Sequence, residues 1–152
     1  MKVIFLDIDG VLNNEEHIIK IHGLLGKEQY LDLLRKITEL PFDYRSCELL
    51  QELIKTTNAE VILSSTWRLN PEAPNIIKRY AGIEIKDITP RLHGMRGEEI
   101  QQYLDNHKEI TNYVILDDDS DMLDSQKEHF VKVNNKVGLT IKELIQCKDI
   151  LK

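Results

Sequence analysis

At 152 residues the chain has the length of one domain with a single sizeable core, and 41% hydrophobic with 30% charged residues is an ordinary soluble composition. No apolar run approaches the roughly 18–20 residues of a membrane-crossing helix, so no membrane contact is expected. The net charge of −6 argues against a protein that coats nucleic acid through bulk electrostatics.

The first element in chain order is a strand over Lys2–Asp7, built on Val3-Ile4-Phe5-Leu6. That run is too short for a signal peptide and no small-residue cleavage site follows it, so a cytoplasmic location is expected. Residues 14–44 break the rhythm of the chain. They hold one amphipathic helix, about Lys27–Leu40 (Leu31, Leu33, Leu34, Ile37), ended by Pro41, and read as a small flap or lid beside the first strand's carboxyl end. A helix over Cys47–Thr56 carries Leu49, Leu50, Leu53 and Ile54 on one face, and a strand over Glu60–Ser64 follows. Asn70-Pro71 has the form of an N-cap with proline at the first helical position and opens a helix toward Tyr80. Ile83–Ile88 is a weaker strand. Gly97–Asn106 is a helix with Ile100, Tyr103 and Leu104 at core spacing; Tyr113–Asp117 and Phe130–Val133 are strands. Thr140-Ile141-Lys142-Glu143 is a capping box flanked by Leu139 and Leu144 as a hydrophobic staple, and starts a last helix to about Lys148. Cys47 and Cys147 fall inside helical patterns, outside any metal or CxxC spacing, and read as core residues.

Most of these strands are short continuous apolar runs, which suits strands buried on both faces of a parallel sheet. The alternation with helices predicts an α/β fold: a three-layer sandwich around a mostly parallel, Rossmann-like sheet, one domain over residues 1–152 with the insert at about 14–44.

Two places carry chemistry. The first strand ends in Asp7-Ile8-Asp9-Gly10, and a charged pair leaving a buried sheet is costly unless something uses it. Ligands of open α/β sheets bind at the strands' carboxyl ends. A second acidic cluster, Asp117-Asp118-Asp119-Ser120-Asp121, follows another apolar run. Together they suggest one magnesium (Mg2+) site assembled from distant parts of the chain.

Phe5-Leu6-Asp7-Ile8-Asp9-Gly10-Val11-Leu12 resembles the first motif of the haloacid dehalogenase-like (HAD) superfamily, in the DxDG form of its phosphatases. Val61-Ile62-Leu63-Ser64 resembles the second motif and Ile115-Leu116-Asp117-Asp118 the fourth. Arg96 is the best match to the third, a lone basic residue near a helix start, with Arg91 as a rival. The matches span nearly the whole chain in the family's order.

The resemblance implies a Mg2+-dependent phosphomonoester hydrolase with a minimal cap. Asp7 would attack phosphorus and form an aspartyl-phosphate. Asp9 would protonate the leaving alkoxide and then take a proton from the attacking water. Ser64 would donate a hydrogen bond to the phosphoryl group, unless the register slips to Ser65 or Thr66, and Arg96 would neutralise charge on Asp7 and the phosphoryl oxygens. Gly10 allows the sharp exit from the strand. The metal ligands implied are Asp7, the backbone carbonyl of Asp9, Asp118 and Asp117. Asp121 either ligates or orients a metal-bound water, and Asp119 reads as a helix-start residue.

Ser64-Ser65-Thr66-Trp67-Arg68, taken with Arg96–Ile100, is similar to the small HAD domains of Swiss-army-knife RNA-repair proteins and their standalone relatives. Gly10, Ser65, Trp67 and Arg68 are the expected substrate-binding residues. Trp67 either packs under the lid or offers a flat surface to a base. Arg68 either holds a second phosphate or substrate carboxylate or makes a structural salt bridge.

The short insert leaves no room for a full cap domain, so the site is expected to be open to large substrates or closed by a partner subunit. Residues 66–96 carry Arg68, Lys78, Arg79, Lys86, Arg91 and Arg96 against Glu72, Glu84 and Asp87. That balance and Trp67 favour a nucleotide or polynucleotide phosphate, such as a nucleic-acid end, as the phosphorylated substrate. A small-metabolite phosphatase is the alternative, and a phosphate-binding HAD domain without turnover is the third reading. A monomer or small homo-oligomer is expected. No GxxxxGK[ST] sequence occurs, so the chain carries no P-loop kinase half. Asp9 disfavours dehalogenase chemistry, since a halide needs no general acid. A receiver-like signalling module lacks an immediate DxD on its first strand.

Overall fold

The computed structural model describes residues 1–26, 28–29 and 42–152. Five strands, β1 (Lys2–Leu6), β2 (Glu60–Leu63), β3 (Ile85–Ile88), β4 (Asn112–Asp117) and β5 (Phe130–Lys132), form one parallel sheet in the order β3-β2-β1-β4-β5. Helices α1 (Glu15–Leu25), α2 (Tyr44–Thr57), α3 (Ala73–Ala81), α4 (Arg96–Asn106) and α5 (Ile141–Ile150) accompany it, with 3-10 turns at Thr66–Leu69 and Asp124–His129. Among the described residues no helix is long and apolar enough to cross a membrane.

The central strand explains the architecture. Val3, Ile4, Phe5 and Leu6 are all fully buried, and side chains alternate across a strand, so both faces of β1 must be covered. Ile4 and Leu6 share a core with Leu50 and Leu53 of α2, Ile77 and Ala81 of α3, and Leu144 and Cys147 of α5. Val3 and Phe5 share the opposite core with Ile62, Ile115 and, from α4, Ile100 and Tyr103. Each such large apolar side chain taken fully out of water contributes about 1.5–3 kcal/mol. The Phe5 ring meets Tyr103 and Tyr113 edge-on at centroid distances of 5.7 and 5.8 Å. This is the three-layer α/β sandwich expected from the alternation, with Cys47 and Cys147 both buried as free thiols.

The structure differs from expectation in the connections. Helix α1 lies where no helix was expected: Asn14 caps it by accepting from the His17 N–H at 2.8 Å, and Glu15 and Glu16 complement its first turn. It leaves Ile18 and Ile19 exposed, so it lacks the buried stripe that hydrophobic periodicity detects. Apart from residues 28–29, the helix expected over Lys27–Leu40 and its terminator Pro41 lie outside the described residues. Helix α3 starts at Ala73, not directly after Asn70. Asn70 precedes a proline and is extended (ψ 116°), as residues before proline tend to be, and its carboxamide accepts from the Glu72 N–H instead. At α5 the Thr140–Glu143 capping box forms as the sequence indicated.

Candidate active site

The parallel register brings three strand ends side by side. Leu6 of β1 pairs with Leu63 of β2 and Leu116 of β4. The residues just beyond, Asp7, Ser64 and Asp117, therefore emerge together at the carboxyl edge. Two backbone bonds extend the register: the Asp7 N–H donates to Leu116 O at 2.9 Å and the Ser64 N–H to Leu6 O at 3.0 Å.

Carboxylate oxygens of Asp7, Asp117 and Asp118 all lie within 4.8 Å of one another. Asp7 and Asp117 are buried. Their counter-charge is Arg96, the first residue of α4, whose Nη1 lies 2.6 Å from Asp7 Oδ1 and 3.2 Å from Asp117 Oδ2. Arg91, the rival for this role, is exposed on the preceding loop. Burial pushes the Asp7 carboxyl above its ordinary value, against the pull of Arg96. Burial first and the charge of Asp7 second push Asp117 up to about 7. Burial works against the Arg96 charge, but Asp117 and Asp7 outweigh it and hold the guanidinium above its ordinary value. The arrangement is thus three crowded carboxylates with one cation, short of positive charge.

Backbone geometry holds the cluster together. Gly10 sits at φ +83°, and a Cβ there would lie 2.6 Å from the Asp118 carboxyl carbon. The absent side chain is what lets Asp118 approach the first motif. Asp121 fastens the start of α4: its Oδ2 accepts from the Arg96 N–H and its carbonyl from the Gly97 N–H, both at 3.0 Å. Gly97 permits this approach, since a Cβ there would meet Leu123 N at 2.5 Å. Asp119 begins no helix, in contrast to the sequence reading. Its N–H donates to Asp117 Oδ1 at 2.9 Å, and the 3-10 turn starts only at Asp124.

The other expected residues occupy distinct positions. Ser64 is fully buried beside the cluster, and its hydroxyl has no hydrogen-bond partner among the described residues. Ser65 is equally buried; its hydroxyl accepts from the Trp67 N–H at 3.3 Å, and its nearness to Asp7 opposes part of the burial-driven rise of that carboxyl's pKa. The Asp9 side chain is exposed and stands outside the three-carboxylate group. It accepts from the Trp67 indole N–H and from Asn13 Nδ2. Arg68 takes the structural alternative: its Nη2 lies 2.5 Å from Glu99 Oε2, and the two side chains are only 6% and 7% exposed. Its Nη1 donates to the carbonyls of Ser64 and Ser65 at 2.7 and 2.9 Å, and Glu99 also accepts from the Leu92 N–H. The remaining basic residues of 66–96 divide between surface contacts: Lys78 with Glu84, Lys86 with Glu60, and Arg79 over the Tyr80 ring.

Sequence reasoning gave no role to Asn13 or Glu99. Asn13 had a local signal, a turn-forming residue three positions after Gly10, and its Oδ1 accepts from the Gly10 N–H at 2.8 Å. Glu99 had none, because only the fold reveals that it is buried against Arg68.

No curated protein and no solved structure matches the chain. A family model described as the HAD domain in Swiss Army Knife RNA repair proteins matches residues 3–144, and so takes in every motif residue that the sheet gathers at its carboxyl edge. On that match the chain belongs to the family of HAD domains found in Swiss Army Knife RNA repair proteins, whose general activity is phosphatase-type hydrolysis.

Proposed function

We propose that this protein is a magnesium-dependent phosphomonoester hydrolase that works through an aspartyl-phosphate on Asp7, and that it acts on nucleotide or polynucleotide phosphate. The observation that carries this reading is the convergence of Asp7, Asp117 and Asp118 around a single guanidinium. Carboxylates in such excess over positive charge, two of them buried and the third half-buried, are costly unless a cation or a proton joins them. Among the described residues the Asp117 Oδ2 atom accepts no well-formed hydrogen bond and has only the shared Arg96 guanidinium at 3.2 Å. An all-oxygen donor set suits a hard divalent ion such as Mg2+. Asp7, Asp117, Asp118 and the Asp9 carbonyl are the groups to hold it. When bound, such an ion lowers the repulsion between an anionic nucleophile and an anionic phosphate ester.

The chain's own residues supply the rest. Asp7 attacks phosphorus and the P–O bond to the leaving group breaks, with Asp9 giving its proton to the departing alkoxide. Asp9 then takes a proton from the water that attacks phospho-Asp7, which restores the carboxylate. Arg96 stays against the Asp7 side chain and offsets charge on the phosphoryl oxygens, and the unpartnered Ser64 hydroxyl offers them a hydrogen bond. The family's RNA-repair setting supports a phosphorylated nucleic-acid end or nucleotide as substrate. Residues 14–44 would act as the small lid of a single 1–152 domain that works in the cytoplasm.

The test is phosphate release, with Mg2+ and with EDTA, from 3′- and 5′-phosphorylated oligonucleotides, mononucleotides, sugar phosphates and p-nitrophenyl phosphate. Metal-dependent release concentrated on nucleic-acid ends or nucleotides is expected, and Asp7→Asn should abolish it while the circular dichroism stays unchanged. A preference for sugar phosphates would overturn the substrate assignment. An Asp7→Asn variant with the wild-type rate would overturn the nucleophile.

A further inference from the structure

We propose that Trp67 is a positioning residue that holds the Asp9 carboxylate in its working orientation through the indole N–H, with its ring braced against Phe42. This rests on the reading of Asp9 as the proton donor and acceptor of a phosphatase. An exposed aspartate ordinarily exchanges among side-chain rotamers. Asp9 is exposed, yet its carboxylate is gripped from two directions. The Trp67 Nε1 lies 3.2 Å from Oδ1 and 3.1 Å from Oδ2, and Asn13 Nδ2 lies 2.8 Å from Oδ1.

Both donors are themselves anchored. Asn13 is buried, and its Oδ1 accepts from the Gly10 N–H within the same turn. The Trp67 backbone N–H donates to the buried Ser65 hydroxyl, and its ring centroid is 5.5 Å from that of Phe42, which is buried. Phe42 is in turn placed by its neighbour, since the Asp43 N–H donates to Leu12 O at 2.6 Å in the first motif. Indole is a donor only, with one N–H, so the edge bonded to Asp9 is not offered to a substrate at the same time. A rigid ring with two side-chain torsions is also cheap to order. A proton donor must sit within hydrogen-bond reach of the leaving oxygen, and small misplacements are costly in rate. Trp67 thus acts through Asp9.

Trp67→Phe keeps a ring against Phe42 and removes the N–H. Its effect is read as kcat/KM on two substrates: a 3′-phosphorylated oligonucleotide, whose alkoxide needs a proton to leave, and p-nitrophenyl phosphate, whose phenolate leaves without one. The expected result is a loss of about tenfold or more in kcat/KM on the oligonucleotide and a near-wild-type kcat/KM on the aryl ester, since kcat/KM reads only the step in which the leaving group departs. Equal losses on both substrates would overturn the proposal.

A second measurement needs no turnover. Trp67 is the only tryptophan, so 15N-labelled protein gives one indole N–H resonance. Asp9→Ala should move it upfield with the rest of the spectrum intact, and an unmoved resonance overturns the proposal. If the wild-type protein hydrolyses neither ester, the phosphatase reading falls and the catalytic part of this proposal with it. A shifted resonance would then show that the Trp67–Asp9 contact stands by itself.

Discussion

Replacing Arg68 by methionine would break the tie between the loop after β2 and helix α4. In the wild type the Arg68–Glu99 ions are 2.5 Å apart and 6% and 7% exposed. Without the guanidinium, the Glu99 carboxylate is left buried with the Leu92 N–H as its remaining donor among the described residues, and the Ser64 carbonyl loses its donor, while the Ser65 carbonyl keeps the Arg68 backbone N–H. Removing one partner of a buried pair costs about 3–5 kcal/mol, most of it from the stranded charge. At about 2–4 °C per kcal/mol for a domain of this size, the melting temperature should fall by about 6–20 °C. Thermal unfolding followed by circular dichroism measures it. The double variant Arg68→Met/Glu99→Leu should recover most of the loss, because both charges leave together and what remains short of a partner is the Ser64 carbonyl and the Leu92 N–H, at about 1 kcal/mol each. If Arg68→Met melts with the wild type and raises KM instead, the guanidinium belongs to the substrate and the structural account is wrong.

Two further outcomes follow from the same geometry. Mg2+ should raise the melting temperature and EDTA should reverse it, with a gain of about 2.7 kcal/mol when the ion is at a hundred times its dissociation constant. Asp118→Asn should remove most of that gain, and a melting temperature indifferent to Mg2+ in the wild type would take the metal out of the site. Asp43 tests pH dependence. Burial pushes its carboxyl up, but hydrogen bonds from Asn14 and the Arg45 N–H outweigh this and hold it below its ordinary 3.8. A depressed carboxyl stabilises the fold above its unfolded pKa and loses that contribution as pH falls through its folded value. Asp43→Ala should therefore cost stability at neutral pH, about 1 kcal/mol for the lost N-cap, and flatten the decline below pH 3.8. A decline as steep as that of the wild type would show that other carboxylates carry it.

The sequence by itself determined the sheet and the residues at its carboxyl edge. Val3–Leu6, Val61–Leu63 and Val114–Leu116 are apolar runs that need cover on both faces, and helical periodicity between them leaves a parallel sheet as the consistent arrangement. Once β1, β2 and β4 are neighbours, Asp7, Ser64 and Asp117 must meet, because each is the first polar residue after its run. Helix α1 was legible only through its cap, since its exposed face carries no periodic signal. The tertiary structure alone decided the partners. Beyond the Arg96–Asp7 pair, which the resemblance implied, Trp67 finds Asp9 across 58 residues and Arg68 finds Glu99 across 31. A side chain's charge or hydrogen-bonding capacity is written in the chain, but which group it meets depends on angles and distances set by packing. Arg68 and Arg91 look alike in sequence; burial against Glu99 makes one an internal tie, while the other stands exposed on its loop.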